Sequence, residues 1–123
     1  MITRVFVYGS LLSGEPNHPV IERGVLVGAA CTEPRFTLHD LGAFPGMVAA
    51  GTQAVAGEVY EVDRSTLADL DRLEGHPRFY RRTPIALSDG TLAETYLLTR
   101  AHVEDRPVVP NGDWRAHRKG KLR

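Results

Sequence analysis

The sequence predicts a single α+β domain over residues 1–123, built as a small mixed β-barrel with one main helix and a short flanking helix. Three observations support this class. Most apolar segments are rich in β-branched and aromatic residues, one segment has helical periodicity, and an Asp-Gly pair separates two β-like runs. The 123 residues, 42% of them hydrophobic, provide enough material for one core.

The composition argues against several classes of partner. Lysine plus arginine equals aspartate plus glutamate, 15 against 15, so no net charge attracts nucleic acid or an anionic membrane. No apolar run approaches the roughly 20 residues that span a bilayer. A lone Cys31 cannot form an internal disulfide, and the strand-like start "MITRVFVYGS" does not resemble a signal peptide. We therefore expect a cytoplasmic protein.

The first elements along the chain are a strand and a short helical turn. Residues 2–8, "ITRVFVY", are β-branched and aromatic and predict a buried strand that ends at Gly9. A helical turn is expected after Pro19, with Gly24 as its C-terminal cap. This turn is the predicted flanking helix.

A long β-like region follows. Residues 25–40 favour strand, and Pro34 predicts a bend or bulge within them. Residues 41–53, "LGAFPGMVAAGTQ", have no clear period and predict a loop that lines something. Residues 53–62, "QAVAGEVYEV", alternate and predict another strand.

The main helix covers residues 63–74, with Asp63 or Ser65 as the N-cap and Gly75 just beyond the end. After it, Asp89-Gly90 between two β-like runs predicts a hairpin, because this pair supplies the positive φ of a tight turn. The basic C-terminal tail is expected to be disordered from about residue 117.

Glu74 is a carboxylate in an unfavourable place. At about 100° per residue, Leu67, Leu70 and Leu73 form the predicted apolar stripe of this helix. Glu74 falls between the directions of Leu67 and Leu70, toward the core, and it lies at the negative end of the helix dipole. Burial and the dipole both predict a raised pKa, as general acid/base chemistry near neutral pH requires. The alternative is that Glu74 frays into solvent or pairs with a nearby arginine: Arg78, Arg81 or Arg82.

The stretch "VYGSLLSG" stays apolar beyond a Gly-Ser turn. A strand that ends at Gly9-Ser10 and continues with Leu11 and Leu12 can turn inward and direct backbone N–H groups at an anion. The alternative is an ordinary turn. A phosphate loop is excluded, because Glu15 stands where its lysine would be.

Other candidate sites are weak. The histidines lack the spacing of metal ligands, so no metal is expected. Ser10 and His18 lack the Gly-x-Ser-x-Gly elbow of a serine hydrolase. Cys31 is expected to be a core filler. The four tyrosines are expected to be core or wall residues: Tyr8, Tyr60, Tyr80 and Tyr96.

Four motifs occur in an order that resembles the gamma-glutamylcyclotransferase-like, or AIG2-like, family. They are Tyr8-Gly9-Ser10-Leu11, Gly57-Glu58-Val59-Tyr60, Leu70 to Gly75, and Phe79-Tyr80-Arg81-Arg82, with a later Gly112 to Trp114. The resemblance covers nearly the whole chain. It implies a small β-barrel with flanking helices.

The resemblance also implies a small-molecule γ-glutamyl substrate and no cofactor. The loop Tyr8 to Leu11 would hold the glutamyl portion, Glu74 would be the catalytic acid/base, and Tyr80 and Tyr96 would be hydrogen-bonding wall residues. The substrate's own α-amino group would attack its γ-carbonyl, giving 5-oxoproline and a free amine.

The branch of the family stays open. "SGEPNHPVI" is similar to the gamma-glutamylamine cyclotransferase branch, and antibiotic-maturing members are similar at this level. A compact segment between Phe44 and Gln53 suggests an open cavity that suits bulky amines. The alternatives are a non-catalytic binding protein and a hydrolase that uses water. The oligomeric state and the leaving amine are not predicted.

Overall fold

The computed structural model describes residues 1–121. Within this range the chain forms seven strands, two α-helices and three short 3₁₀ turns. The strands are β1 (Ile2–Val7), β2 (Val25–Cys31), β3 (Phe36–Asp40), β4 (Pro45–Gln53), β5 (Ala56–Asp63), β6 (Arg81–Ala86) and β7 (Leu92–Leu97). The helices are α1 (Arg64–Glu74) and α2 (Trp114–Lys121), and the 3₁₀ turns are His18–Val20, Arg100–Val103 and Pro110–Gly112.

The strands form one mixed sheet in the order β2-β5-β1-β7-β4-β3, and β6 pairs with β7. β1 is antiparallel to β5 and parallel to β7, and β4 is also parallel to β7. The predicted α+β class is therefore confirmed. The sheet is curled rather than closed into a barrel, although one isolated bridge joins Thr32 to Leu87.

Both faces of the sheet are covered by apolar side chains. On one face, Leu67 and Leu70 of α1 pack with Val5 and Val62 in one buried cluster. The other face carries a second cluster in which Trp114 is 1% exposed. Trp114 thus anchors the C-terminal helix to the core.

Helix α1 begins and ends where the sequence predicts. The Asp63 side chain accepts a hydrogen bond from the Thr66 N–H at 2.8 Å, and Gly75 is the C-cap with φ of 67°. The predicted apolar stripe is correct only in part, since Leu73 is 42% exposed. Leu73 is not part of the buried cluster that contains Leu67 and Leu70.

The predicted hairpin is confirmed, with a loop of three residues, Ser88 to Gly90. The Leu87 N–H donates to the Thr91 carbonyl at 2.8 Å. Gly90 has φ of 86°, the left-handed conformation that three-residue hairpin loops require at this position.

Three predictions about local structure are wrong. Residues 45–53 form strand β4 instead of a loop, because pairing with β3 and β7 buries Met47 and Val48. Cys31 is exposed, because β2 is an outer strand of the sheet. The tail continues as helix α2 to Lys121, and Leu122 and Arg123 lie outside the described residues.

Polar contacts explain why α2 is ordered. The His117 Nε2 lies 2.8 Å from the Asp40 Oδ2, and Asp40 is buried. Arg118 contacts the Glu15 carboxylate in the loop after β1. These contacts and the burial of Trp114 fix a segment whose own sequence is too polar to predict packing.

Glu58 is a buried carboxylate that joins three parts of the chain. It accepts hydrogen bonds from the Ser13 N–H at 2.9 Å, the Ser13 hydroxyl at 2.8 Å and the Tyr60 hydroxyl at 3.2 Å, and Arg115 of α2 lies 3.4 Å away. Burial raises the pKa of Glu58, but the Ser13 hydrogen bonds and Arg115 outweigh burial and lower it overall. The ionised side chain therefore ties the loop after β1 to β5 and α2.

We expect Gly57→Ala to destabilise the fold by about 1–3 kcal/mol or more, since the added methyl group would overlap its neighbours. A Cβ at Gly57 would meet the Val7 carbonyl oxygen and come within 2.7 Å of the Phe6 ring. Chemical denaturation measures this loss. The control is Gly120→Ala, where nothing lies within 4 Å, and an equal loss in both variants would contradict the explanation.

We expect Glu58→Gln to lower the free energy of unfolding by about 1–3 kcal/mol at pH 7, because charge-assisted hydrogen bonds are lost. A lowered pKa stabilises the fold above the ordinary value of 4.5, and this stabilisation disappears as the pH falls through the folded-state pKa. The difference between the two proteins should therefore shrink in acid. Glu61→Gln on the same strand is the control, and a pH-independent difference would contradict this account.

Candidate active site

A cavity of about 440 Å³ lies where β1 ends, α1 ends and β4 begins. Its walls are mainly apolar and aromatic. The lining residues are Phe6, Val7, Tyr8, Gly9, Ser10, Leu11, Pro16, Asn17, Ala43, Phe44, Pro45, Leu73, Glu74, Phe79, Tyr80 and Tyr96. All seven residues that the sequence analysis selected for the site are among them.

Glu74 is the one aspartate or glutamate among these lining residues, which include no lysine or arginine. It is the last residue of α1, held at the cavity by the left-handed Gly75 cap. Burial raises the pKa of Glu74 to about 7. Across residues 1–121, no group donates a hydrogen bond to its side chain and no cation pairs with it. Glu74 is thus a carboxyl group that can gain or lose a proton near neutral pH.

The arginines that follow α1 do not neutralise Glu74. The Arg82 guanidinium contacts Asp71 at 3.0 Å and Glu94 at 3.2 Å. Within the described chain, Arg78 and Arg81 make no ion pair, and both side chains are exposed. The alternative of a structural ion pair for Glu74 is therefore wrong.

The loop after β1 presents backbone donors to the same cavity. Within residues 1–121 no acceptor bonds the N–H groups of Gly9, Ser10 and Leu11. The Gly9 carbonyl accepts from the Leu12 N–H at 3.1 Å, and the Ser10 carbonyl accepts from the Asn17 N–H at 2.9 Å. In a planar trans peptide the N–H points opposite to the carbonyl of the same peptide unit. The Gly9 and Ser10 carbonyls point toward Leu12 and Asn17, so the N–H groups of Ser10 and Leu11 point away from those two residues. Such free donors can hold a carboxylate or an oxyanion.

Packing explains why this loop combines glycine with leucine. A Cβ at Gly9 would lie 2.6 Å from the Pro45 side chain, so only glycine allows this approach of the backbone to β4. Leu11 and Leu12 are 4% and 2% exposed and fill the core beneath the loop. The apolar side chains turn inward, and the backbone is left to line the cavity.

The three tyrosines contribute their rings rather than free hydroxyl hydrogens. The Tyr8 hydroxyl donates to the Tyr96 carbonyl at 2.6 Å, the Tyr80 hydroxyl to the Pro45 carbonyl at 2.7 Å, and the Tyr96 hydroxyl to Asp71 at 2.7 Å. Burial raises the pKa of each phenol. The tyrosines are neutral walls that join β4, β7 and α1 around the cavity.

Sequence reasoning missed part of the wall. Phe44 and Phe79 form an edge-to-face pair with ring centroids 6.3 Å apart, and both line the cavity with Leu73. A signal for Phe44 existed, because its segment was predicted to line something. Leu73 was assigned to the core stripe, and Phe79 appeared only as part of a motif.

Residues 1–121 contain neither a cluster of metal-ligand side chains nor a membrane-spanning helix. No group of three or more His, Cys, Asp or Glu side chains in this range is arranged to hold a metal ion. No helix in the same range is both long and apolar enough to cross a bilayer.

Comparisons with known proteins identify the family of this chain. The family model described as "Gamma-glutamyl cyclotransferase, AIG2-like" matches residues 5–116. A protein of Vibrio cholerae named a putative gamma-glutamylcyclotransferase is 46% identical over 110 residues, covering 89% of this chain and 93% of its own.

Two mammalian proteins are also similar. The gamma-glutamylaminecyclotransferase of Rattus norvegicus is 37% identical over 94 residues, 68% of this chain and 62% of that protein. The crystal structure of an AIG2-like protein from Mus musculus has a TM-score of 0.71 and 30% identity, covering 78% of this chain and 76% of that one. On the family match and these identities, the chain belongs to the gamma-glutamyl cyclotransferase, AIG2-like family.

Proposed function

We propose that this protein converts a γ-glutamyl amide or peptide to 5-oxoproline and a free amine. The observation that carries the proposal is the pairing of one partly buried carboxyl, Glu74, with a loop of free backbone donors, Gly9 to Leu11, in one cavity. Family membership supports the reaction class.

The glutamyl group has charges that match the two halves of this site. Its α-carboxylate is an anion suited to the N–H groups of Gly9, Ser10 and Leu11, and its α-ammonium is a cation suited to Glu74. The apolar walls exclude water and strengthen both interactions. Leu73 and Phe79 line the cavity and are exposed on their outer side, so the amine portion is placed beside them.

The reaction moves two protons from the substrate α-nitrogen to the leaving nitrogen. Ionised Glu74 takes the first proton from the α-ammonium, and the resulting amine attacks the γ-carbonyl carbon to form a five-membered ring. The carbonyl oxygen gains negative charge, which loop N–H groups stabilise. The bond from the γ-carbon to the leaving nitrogen then breaks as Glu74 gives this proton to that nitrogen. The ring nitrogen loses its second proton to the ionised Glu74, which passes it to the released amine. The products are the neutral lactam and an ammonium ion, and the carboxyl group ends in its initial state.

The cavity accelerates a reaction that is already intramolecular. The substrate must fold so that its α-nitrogen approaches its own γ-carbon, and a walled cavity selects this compact shape. The relation to the rat protein favours γ-glutamylamines among the candidate substrates. No enzyme nucleophile is required, in keeping with the absence of a serine hydrolase motif.

We expect Glu74→Gln to lower turnover by about 10²- to 10⁴-fold, since the amide cannot accept the substrate proton. Purified protein is incubated with γ-glutamyl-ε-lysine, γ-glutamyl amino acids, glutathione and a γ-glutamylated aminoglycoside, and 5-oxoproline is measured by mass spectrometry. Asp69→Asn is the matched control, because Asp69 is on the same helix but pairs with Arg23 and Arg72 outside this cavity.

Each outcome of this assay has a defined meaning. Formation of 5-oxoproline that disappears in Glu74→Gln and persists in Asp69→Asn supports the proposal. Glutamate as the product would indicate hydrolysis by water. Ligand binding without any product would indicate a non-catalytic member of the family.

We expect kcat/KM to fall as the pH drops below about 7, because Glu74 must be ionised to act as a base. The same raised pKa affects stability with the opposite sign. Between the ordinary pKa of 4.5 and about 7, the folded protein holds a proton that the unfolded chain has lost, so stability decreases as the pH rises, by up to about 3 kcal/mol.

Glu74→Gln should therefore be more stable than the natural protein above pH 7 and similar to it in acid. Thermal denaturation across this pH range tests the stability prediction, and initial rates test kcat/KM. An unchanged stability profile in the variant would contradict the raised pKa.

A further inference from the structure

Asn17 has an unusual hydrogen-bonding pattern for its position. It is the N-cap residue of the 3₁₀ turn His18–Val20, where an asparagine side chain ordinarily accepts from the turn's own N–H groups. Its side chain makes no such bond. Instead the Asn17 Nδ2 donates to the Ser10 Oγ at 2.9 Å, back toward the cavity loop.

This segment holds the loop from one side. The Asn17 N–H donates to the Ser10 carbonyl at 2.9 Å, and the His18 Nδ1 lies 3.0 Å from the Leu11 carbonyl. The backbone bonds alone would fix the course of the chain. The Asn17 side chain adds one more contact, to a hydroxyl.

That contact determines where the Ser10 hydroxyl hydrogen points. An oxygen that accepts from an amide N–H uses one lone pair for this bond, and its own hydrogen must point elsewhere. Within residues 1–121 no acceptor takes the Ser10 hydroxyl hydrogen. Ser10 lines the cavity beside the free N–H groups of Gly9 and Leu11. The hydroxyl is thus a further donor on the same loop.

We propose that Asn17 is a positioning residue that acts through Ser10. By donating to the Ser10 oxygen, it holds the hydroxyl so that its hydrogen bonds the α-carboxylate of the glutamyl group. The inference rests on the proposed function for the identity of this anion. It assigns a role to the Pro-Asn-His segment that the reaction chemistry leaves without one.

A merely structural role for Asn17 makes different predictions. If its side chain only stabilised the turn, Asn17→Asp would be milder than Asn17→Ala, because aspartate keeps the shape and is a good N-cap residue. Under our proposal aspartate is worse than alanine. Its carboxylate accepts the Ser10 hydroxyl hydrogen and withdraws that donor from the ligand.

The test is a double-mutant cycle for binding in the Glu74→Gln protein, which cannot turn over. The probe is 5-oxo-L-proline, measured by calorimetry, and the matched ligand is 2-pyrrolidinone, the same ring without the carboxylate. We expect Ser10→Ala and Asn17→Ala each to weaken 5-oxoproline binding roughly tenfold. The double variant should be no weaker than either single variant within about twofold, because both remove one hydrogen bond.

Three results support the inference together: this non-additivity, a larger loss in Asn17→Asp than in Asn17→Ala, and unchanged 2-pyrrolidinone binding. In the active protein, Asn17→Ala should raise KM with kcat within about twofold. Ser65→Ala, an exposed serine on α1, is the control for substitution alone. Unfolding midpoints verify that every variant is folded.

Additive losses, equal losses for both ligands, or a milder Asn17→Asp would overturn the inference. These outcomes are separable from failure of the proposed function. If 5-oxoproline forms from a γ-glutamyl compound and the cycle is additive, the proposed activity is supported and the proposed role of Asn17 is wrong. If no product forms but the cycle shows coupling, the positioning role of Asn17 is supported and the proposed activity is wrong. If neither 5-oxoproline nor 2-pyrrolidinone binds, the proposed activity and the proposed role of Asn17 are both contradicted.

Discussion

The buried carboxylate of Glu58 is the contact on which the site's geometry depends. Three hydrogen bonds and one arginine converge on it, and they join β5 to the loop after β1 and to helix α2. This anchor at Ser13 fixes the segment that follows the free N–H groups of Gly9 to Leu11. Asn17 and His18 hold the loop from its other end. A flexible turn thereby becomes a fixed row of donors.

Two glutamates in this protein show how surroundings assign opposite roles to one side chain. Glu58 is buried but surrounded by donors, so its pKa is lowered and the side chain is ionised at neutral pH. Glu74 is partly buried and has no hydrogen-bond donor among residues 1–121, so its pKa is raised to about 7 and it can gain or lose a proton near neutral pH. The first is suited to hold structure and the second to move protons. The difference arises from hydrogen-bond partners, since both side chains are withdrawn from water.

Much of the site was predictable because its signals are local. Gly75 after the last turn of α1 predicted where the helix ends, and the helical period predicted that Glu74 faces inward. The loop Tyr8 to Leu11 was predictable from an apolar sequence that continues beyond a turn. The aromatic wall was harder to predict from the sequence. The whole of β4, β5 and α1 lies between Phe44 and Phe79 in the sequence, and only the folded chain brings their rings together. Helix α2 was missed for a similar reason, because its order comes from a buried Trp114 and from partners far along the chain.

The sequence by itself determined the α+β class, the bounds of α1, the hairpin around Asp89-Gly90 and the loop Tyr8 to Leu11 that lines the cavity. Each follows from short-range rules of periodicity, capping and turn conformation. The tertiary structure decided that β4 is a strand, that the tyrosine hydroxyls bond protein acceptors and that no arginine reaches Glu74. These features depend on contacts between residues that are distant in sequence. Local sequence patterns do not predict the geometry of such contacts. The reactivity of Glu74 belongs to this second group, because a pKa is set by everything that surrounds the carboxyl group.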